Sequence, residues 1–64
     1  MFTNKEKCRE AQREVTYRQF VYSKRVAEGK MKASQAERQI AIMVEIAEDY
    51  GRMAAVEDEA GRLL

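Results

Sequence analysis

From Gln35 to Val56 the chain repeats apolar positions with a helical beat. Ala36, Ile40, Met43, Ala47, Tyr50 and Ala54 follow one another at alternating steps of four and three, the spacing of one face of an α-helix. Ile42, Ile46 and Met53 form a second row beside the first. At about 100° per residue the two rows and Val44 cover roughly 200° of the helix surface, whereas a helix on one neighbour needs a stripe of only about 100°. A single partner helix therefore cannot cover this segment.

The first half carries a narrower pattern. Cys8, Ala11, Val15, Tyr22 and Val26 fall within roughly 60° of one another, a seam rather than a broad face. Arg18 and Gln19 interrupt it. Arg18 is expected to lay its stem on the seam and to pair with Glu14 one turn earlier. Tyr17, Phe20 and Val21 lie off the seam, flanked by Arg13 and Lys24.

These patterns predict two helices, one over about 4–28 and one over about 34–58, joined by a turn at 29–33. Thr3 and Glu6 have the spacing of a capping box, with Asn4 as the alternative cap. Phe2 either covers the first turn or belongs to an interface. Gly29 suits a left-handed helix end, and Met31 is placed to fold back over Val26 and Ile40. Two starts compete for the second helix: a cap at Ser34 with Glu37, or an uncapped start near Lys32. The start is placed between them. Gly51 costs the second helix about 1 kcal/mol relative to alanine, so packing must hold it there. Glu48 and Arg52 are spaced as an i,i+4 ion pair. Fraying is expected from Asp58, where the apolar pattern fails, with Gly61 as a late stop. A short connection makes the helices antiparallel neighbours. The expected fold is all-α: one domain over 1–64, an antiparallel two-helix hairpin that dimerises into a four-helix bundle. Its core would draw on Val15, Tyr22, Val26, Ile40, Ile42, Met43, Ile46, Ala47, Tyr50 and Met53.

Composition points the same way. The chain has 64 residues, one cysteine, no histidine and no proline. Chains this short usually need a disulfide, a metal or a partner subunit for stability. One cysteine cannot form an internal disulfide, and without histidine there is no zinc-type ligand set. No metal and no cofactor are expected, which leaves association. Residues 1–32 hold nine Lys/Arg against four Asp/Glu, and residues 33–64 three against seven, balances of +5 and −4 within a net +1. Opposite halves suit helices that fold back on each other. No segment approaches the roughly 18 apolar residues of a membrane span, and the first residues lack a signal-peptide core. No membrane association and a cytoplasmic location are expected.

Little in the chain carries catalysis. Cys8 has no histidine to activate it and lies on the packing seam, so it reads as a small buried side chain. Glu45, Glu48 and Asp49 gather on one side of the second helix. Carboxylate metal sites in helical bundles also use Glu-x-x-His pairs, so a solvated face is the better reading. No catalytic residue is assigned, and an enzyme is not expected. Lys24, Arg25, Lys30 and Lys32 form the tightest basic group and are the candidate nucleic-acid contacts. A helix-turn-helix is not supported, because Arg25 and Gln35 occupy the positions around Gly29 where a small and an apolar residue belong. Arg13, Tyr17, Phe20 and Lys24 are the candidate contacts for another protein, since aromatics beside arginine are frequent anchors.

One resemblance adds to this reading. The run Tyr17-Arg18-Gln19-Phe20-Val21-Tyr22, then Val26 and Gly29-Lys30-Met31, followed by Arg38, Ile40-Ala41-Ile42-Met43, Ile46 and Asp49-Tyr50, resembles a set of short proteins from bacterial genomes and prophages. Their recurring pattern is V-Y-P-x-x-V-x-x-G-K-M, then R-x-I-A-x-M-x-x-I-x-x-D-Y. The likeness covers residues 14–50. Ser23 stands where proline is common, so no kink is required, and Lys32 stands where a threonine cap is common. The resemblance implies a helical hairpin of bacterial or phage origin and carries over no catalytic residue. The expected function is a small non-enzymatic protein–protein interaction module: a homodimer acting as a phage or prophage accessory protein that binds and modulates or inhibits a host or phage protein. The alternative is a nucleic-acid-binding accessory protein using the basic first helix and hairpin end.

Overall fold

Thr3 opens the first helix as its spacing predicts. Its hydroxyl accepts from the Glu6 amide at 3.1 Å, and the Glu6 carboxylate accepts from the Thr3 amide at 3.4 Å. Two amides that the helix itself cannot pair are thus satisfied. The computed structural model describes the backbone from Met1 to Leu63 and side chains as far as Gly61. In it this helix, α1, spans Asn4–Ala27. It runs through Ser23, whose hydroxyl donates to the Gln19 carbonyl one turn back.

Glycine ends α1. Gly29 adopts a φ of +74°, and the chain reverses through two bonds, Gly29 N–H to the Val26 carbonyl at 3.1 Å and Lys30 N–H to the Arg25 carbonyl at 2.9 Å. This is the Schellman arrangement, which satisfies the last carbonyls of a helix. The second helix, α2, spans Ala33–Leu63. The Lys32 carbonyl accepts from the Ala36 amide at 3.0 Å, so Lys32 occupies the cap position and Ser34 lies inside the first turn. Of the two competing starts, the one without a side-chain cap is used.

α2 also runs further than its apolar pattern. It continues through Asp58 and Gly61, where fraying and a stop were expected. The last turns contain Ala54, Ala55, Glu57, Glu59 and Ala60 and no proline, residues with high intrinsic helix preference. That preference sustains the helix after the reason to bury it has ended.

The two helices pack antiparallel. Cross-helix contacts set the register: the Asn4 side-chain Nδ2 donates to the Glu57 carboxylate, the Cys8 thiol to the Ala47 carbonyl at 3.5 Å, and the Arg18 guanidinium to the Gln39 carbonyl at 2.8 Å. Because Asn4 is level with Glu57, residues after Glu57 extend beyond α1, by roughly 9 Å at about 1.5 Å per residue. The seams meet as their spacing predicts. Ala11, Ala36 and Ala47 are buried, and Val15, Tyr22, Val26, Ile40, Met43, Tyr50 and Ala54 are half-buried. The result is a rod of 54 × 17 × 16 Å. Its radius of gyration is 15.2 Å, against about 11 Å for a compact chain of this length.

Candidate functional site

Small residues hold the hairpin together, and large ones are left outside. Among the described residues the three that are buried are all alanines, and no large side chain is fully buried. Yet Tyr17, Phe20, Ile42, Ile46, Met53 and Val56 keep between 36% and 76% of their surface exposed. Alanine seams let two helices approach closely, but they remove little apolar area from water.

Helical phase decides where the exposed residues lie. One side of the hairpin is a groove lined by Cys8, Gln12, Val15, Thr16, Val44, Ala47, Glu48 and Gly51. At about 100° per residue, Tyr17 and Val21 fall on the opposite side of α1 from Gln12 and Thr16, and Ile42, Ile46 and Met53 on the opposite side of α2 from Val44, Glu48 and Gly51. In an antiparallel pair these positions share one side of the rod. The Arg18–Gln39 bond brings Tyr17 and Val21 level with the stretch that carries Ile42. The second row of α2 is thus continued across the hairpin by residues of α1. Sequence reading placed Val21 and Tyr17 off the seam without joining them to that row. The signal that joins them is the common phase of two antiparallel helices.

Phe20 stands apart. It lies on the far side of α1 from Ala11, 76% exposed. Arg13, Tyr17, Phe20 and Lys24, at steps of four, three and four, make a strip along the outside of α1. Arg13 pairs with Glu10 at 3.1 Å, both side chains more than 70% exposed, and such a pair holds the arginine weakly. Phe2 does not cover the first turn: it is 75% exposed and borders a shallow hollow with Glu6, Lys7, Arg9 and Glu10.

The remaining candidates fall into place around these surfaces. The Cys8 thiol donates to Ala47 across the seam, as a small packing group would. Arg18 bonds Glu14 at 2.9 Å as well as Gln39 and lies 5.9 Å from the Tyr22 ring centre. Lys7 lies 5.6 Å from the Tyr50 ring centre. Arg52 pairs with Asp49 rather than with the expected Glu48. Glu45, Glu48 and Asp49 are exposed, and among the described residues no group of three or more His, Cys, Asp or Glu could hold a metal. Lys24, Arg25, Lys30 and Lys32 gather at the turn end. Lys30 pairs with Glu28 at 3.0 Å, while among the described residues no carboxylate lies within ion-pair distance of Lys24, Arg25 or Lys32. No described helix is long and apolar enough to cross a membrane.

The chain matches no protein-family model, no curated protein and no solved structure.

Proposed function

We propose that this protein is a non-enzymatic protein–protein interaction module. Its apolar side binds a second copy to form a four-helix bundle, and its outer α1 strip then meets another protein. One observation carries the reading: an all-alanine buried core beside a continuous side of exposed tyrosine, isoleucine and methionine. Area supports it. The hairpin exposes 5351 Å², whereas a folded monomer of 7.4 kDa exposes about 4,200 Å². The excess, about 1,100 Å², is of the order that each partner buries in a stable interface, about 800 Å². Completing the burial of Tyr17, Ile42, Ile46 and Met53 is worth about 1 kcal/mol for each side chain.

Such a dimer leaves Phe20 in water, because Phe20 faces away from both the seam and the apolar side. The rest of the strip, Arg13, Phe20 and Lys24, then offers an aromatic anchor with a cationic rim, which fits a partner whose surface is acidic around an apolar pocket. The resemblance of residues 14–50 to short bacterial and prophage proteins is what favours a role as an accessory protein that modulates or inhibits its target.

Sedimentation over a range of concentrations tests the reading. The wild-type chain is expected to run as a dimer and the Ile42→Lys/Ile46→Lys variant as a monomer, while Phe20→Ala stays dimeric. A wild-type chain that remains a stable helical monomer at high concentration overturns it. The basic turn end favours a second reading, nucleic-acid binding through Lys24, Arg25, Lys30 and Lys32. It requires a complex with DNA or RNA whose affinity falls steeply with salt.

A further inference from the structure

The rod has a charge direction. Its turn end, residues 18–42, carries six Lys/Arg against two Asp/Glu, a net of +4. The open end, residues 1–17 with 43–64, carries six against nine, a net of −3, and together these make the chain's +1. The fold creates this separation, because it brings the acidic end of α2 beside the start of α1 and leaves the basic residues around Gly29 at the other tip. The acidic end is also uncovered. Glu57, Asp58 and Glu59 are exposed, and α2 runs on past α1 there with no helix of its own hairpin beside it.

On the reading that the apolar side binds a second copy, we propose that the two hairpins lie antiparallel, each basic turn end beside the acidic open end of the other. The apolar row permits this. A twofold axis through the middle of the row, between Ile46 and Asp49, carries the level of Ile42 and Tyr17 onto that of Met53 in the partner copy. The same operation carries the level of Arg38 and Val21 onto that of Glu57. Apolar rows therefore overlap while opposite charges meet at both ends. A parallel pair would set the same apolar rows together but place +4 against +4 and −3 against −3. Like charges across an interface select against that arrangement.

The experiment separates orientation from dimerisation. Sedimentation reports whether a dimer forms at all, and a spin label on Lys30→Cys in a Cys8→Ser background reports where the two turn ends lie. The expected result is a dimer with a label-to-label distance above about 35 Å, the axial length of a 24-residue helix at about 1.5 Å per residue. A dimer with labels closer than about 25 Å overturns the antiparallel arrangement alone. A monomer removes the dimer and this inference with it. A second measurement keeps Cys8. Glu57→Lys, read against an Asn4→Ala control that removes only the hydrogen bond between those two side chains, reverses the acidic charge on the same side of α2 as Ile42, Ile46 and Met53. It is expected to weaken the dimer by roughly fivefold or more at low ionic strength, with the difference shrinking at about 0.5 M salt as charges are screened. An unchanged dimer affinity at low salt overturns the proposal.

Discussion

The Arg18 guanidinium crosses from α1 to donate to the backbone carbonyl of Gln39 in α2, at 2.8 Å. The same side chain bonds Glu14 at 2.9 Å. A charged residue at a seam position would ordinarily weaken a helix pair. Here it ties the pair together, because its stem packs on the seam and its head meets a carbonyl and a carboxylate.

Arg18→Ala removes both bonds and the stem packing. It is expected to lower stability by about 1–2 kcal/mol. Arg18→Met retains the stem and should cost less than the alanine. Urea unfolding followed by circular dichroism checks the order of the three proteins. An alanine variant as stable as wild type would show that Arg18 contributes no net stability.

Gly51→Ala is expected to stabilise. A methyl group built on Gly51 would meet the Cys8 sulfur at 3.5 Å, an ordinary contact distance. The substitution therefore gains helix preference without forcing the seam apart, worth about 0.5–1 kcal/mol. The thermal midpoint should rise by roughly 4 °C for a chain of this size. A lower midpoint would mean that the seam around Cys8 cannot accept a methyl group.

Gly29→Ala is expected to act in the opposite direction. The residue holds a φ of +74°, which costs an L side chain about 1 kcal/mol, although nothing lies within 4 Å to obstruct the new methyl. The loss is conformational, so Gly29→Asn, which tolerates the left-handed region better, should recover part of it. Paired denaturation curves of the two variants check this.

Lys32→Thr tests the uncapped start of α2. Lysine at the cap position offers no acceptor to the first-turn amides, and its charge opposes the positive end of the helix dipole. Threonine should add about 0.5–1 kcal/mol. Its effect is read by the same unfolding measurement, and a variant no more stable than wild type would show that water already satisfies those amides.

The helices and their seams were legible in the residues alone. Steps of four and three bring Cys8, Ala11, Val15, Tyr22 and Val26 against Ala36, Ile40, Met43, Ala47, Tyr50 and Ala54, because burial at helical spacing is a local property of the chain. So were the Thr3–Glu6 cap and the Gly29 turn, whose chemistry involves only near neighbours. The end of α2 was misjudged, because apolar periodicity reports burial, while intrinsic preference carries the helix onward to Leu63. Arg52 pairs with Asp49, three residues back, rather than with Glu48, four back; both spacings face one another on a helix, so spacing alone does not choose between them.

By itself, then, the sequence determined an antiparallel pair of helices and an α2 surface too wide for one neighbour. Tertiary structure decided how the leftover surface is shared. The register set by Asn4–Glu57 and Arg18–Gln39 brings Tyr17 and Val21 of α1 to the same side as Ile42, Ile46 and Met53 of α2. It leaves Phe20 alone on the outside and carries α2 past α1 as an acidic overhang. These are relations between residues far apart in the chain. They depend on the relative position and rotation of two helices, which the packing of Ala11, Ala36 and Ala47 sets and local periodicity cannot.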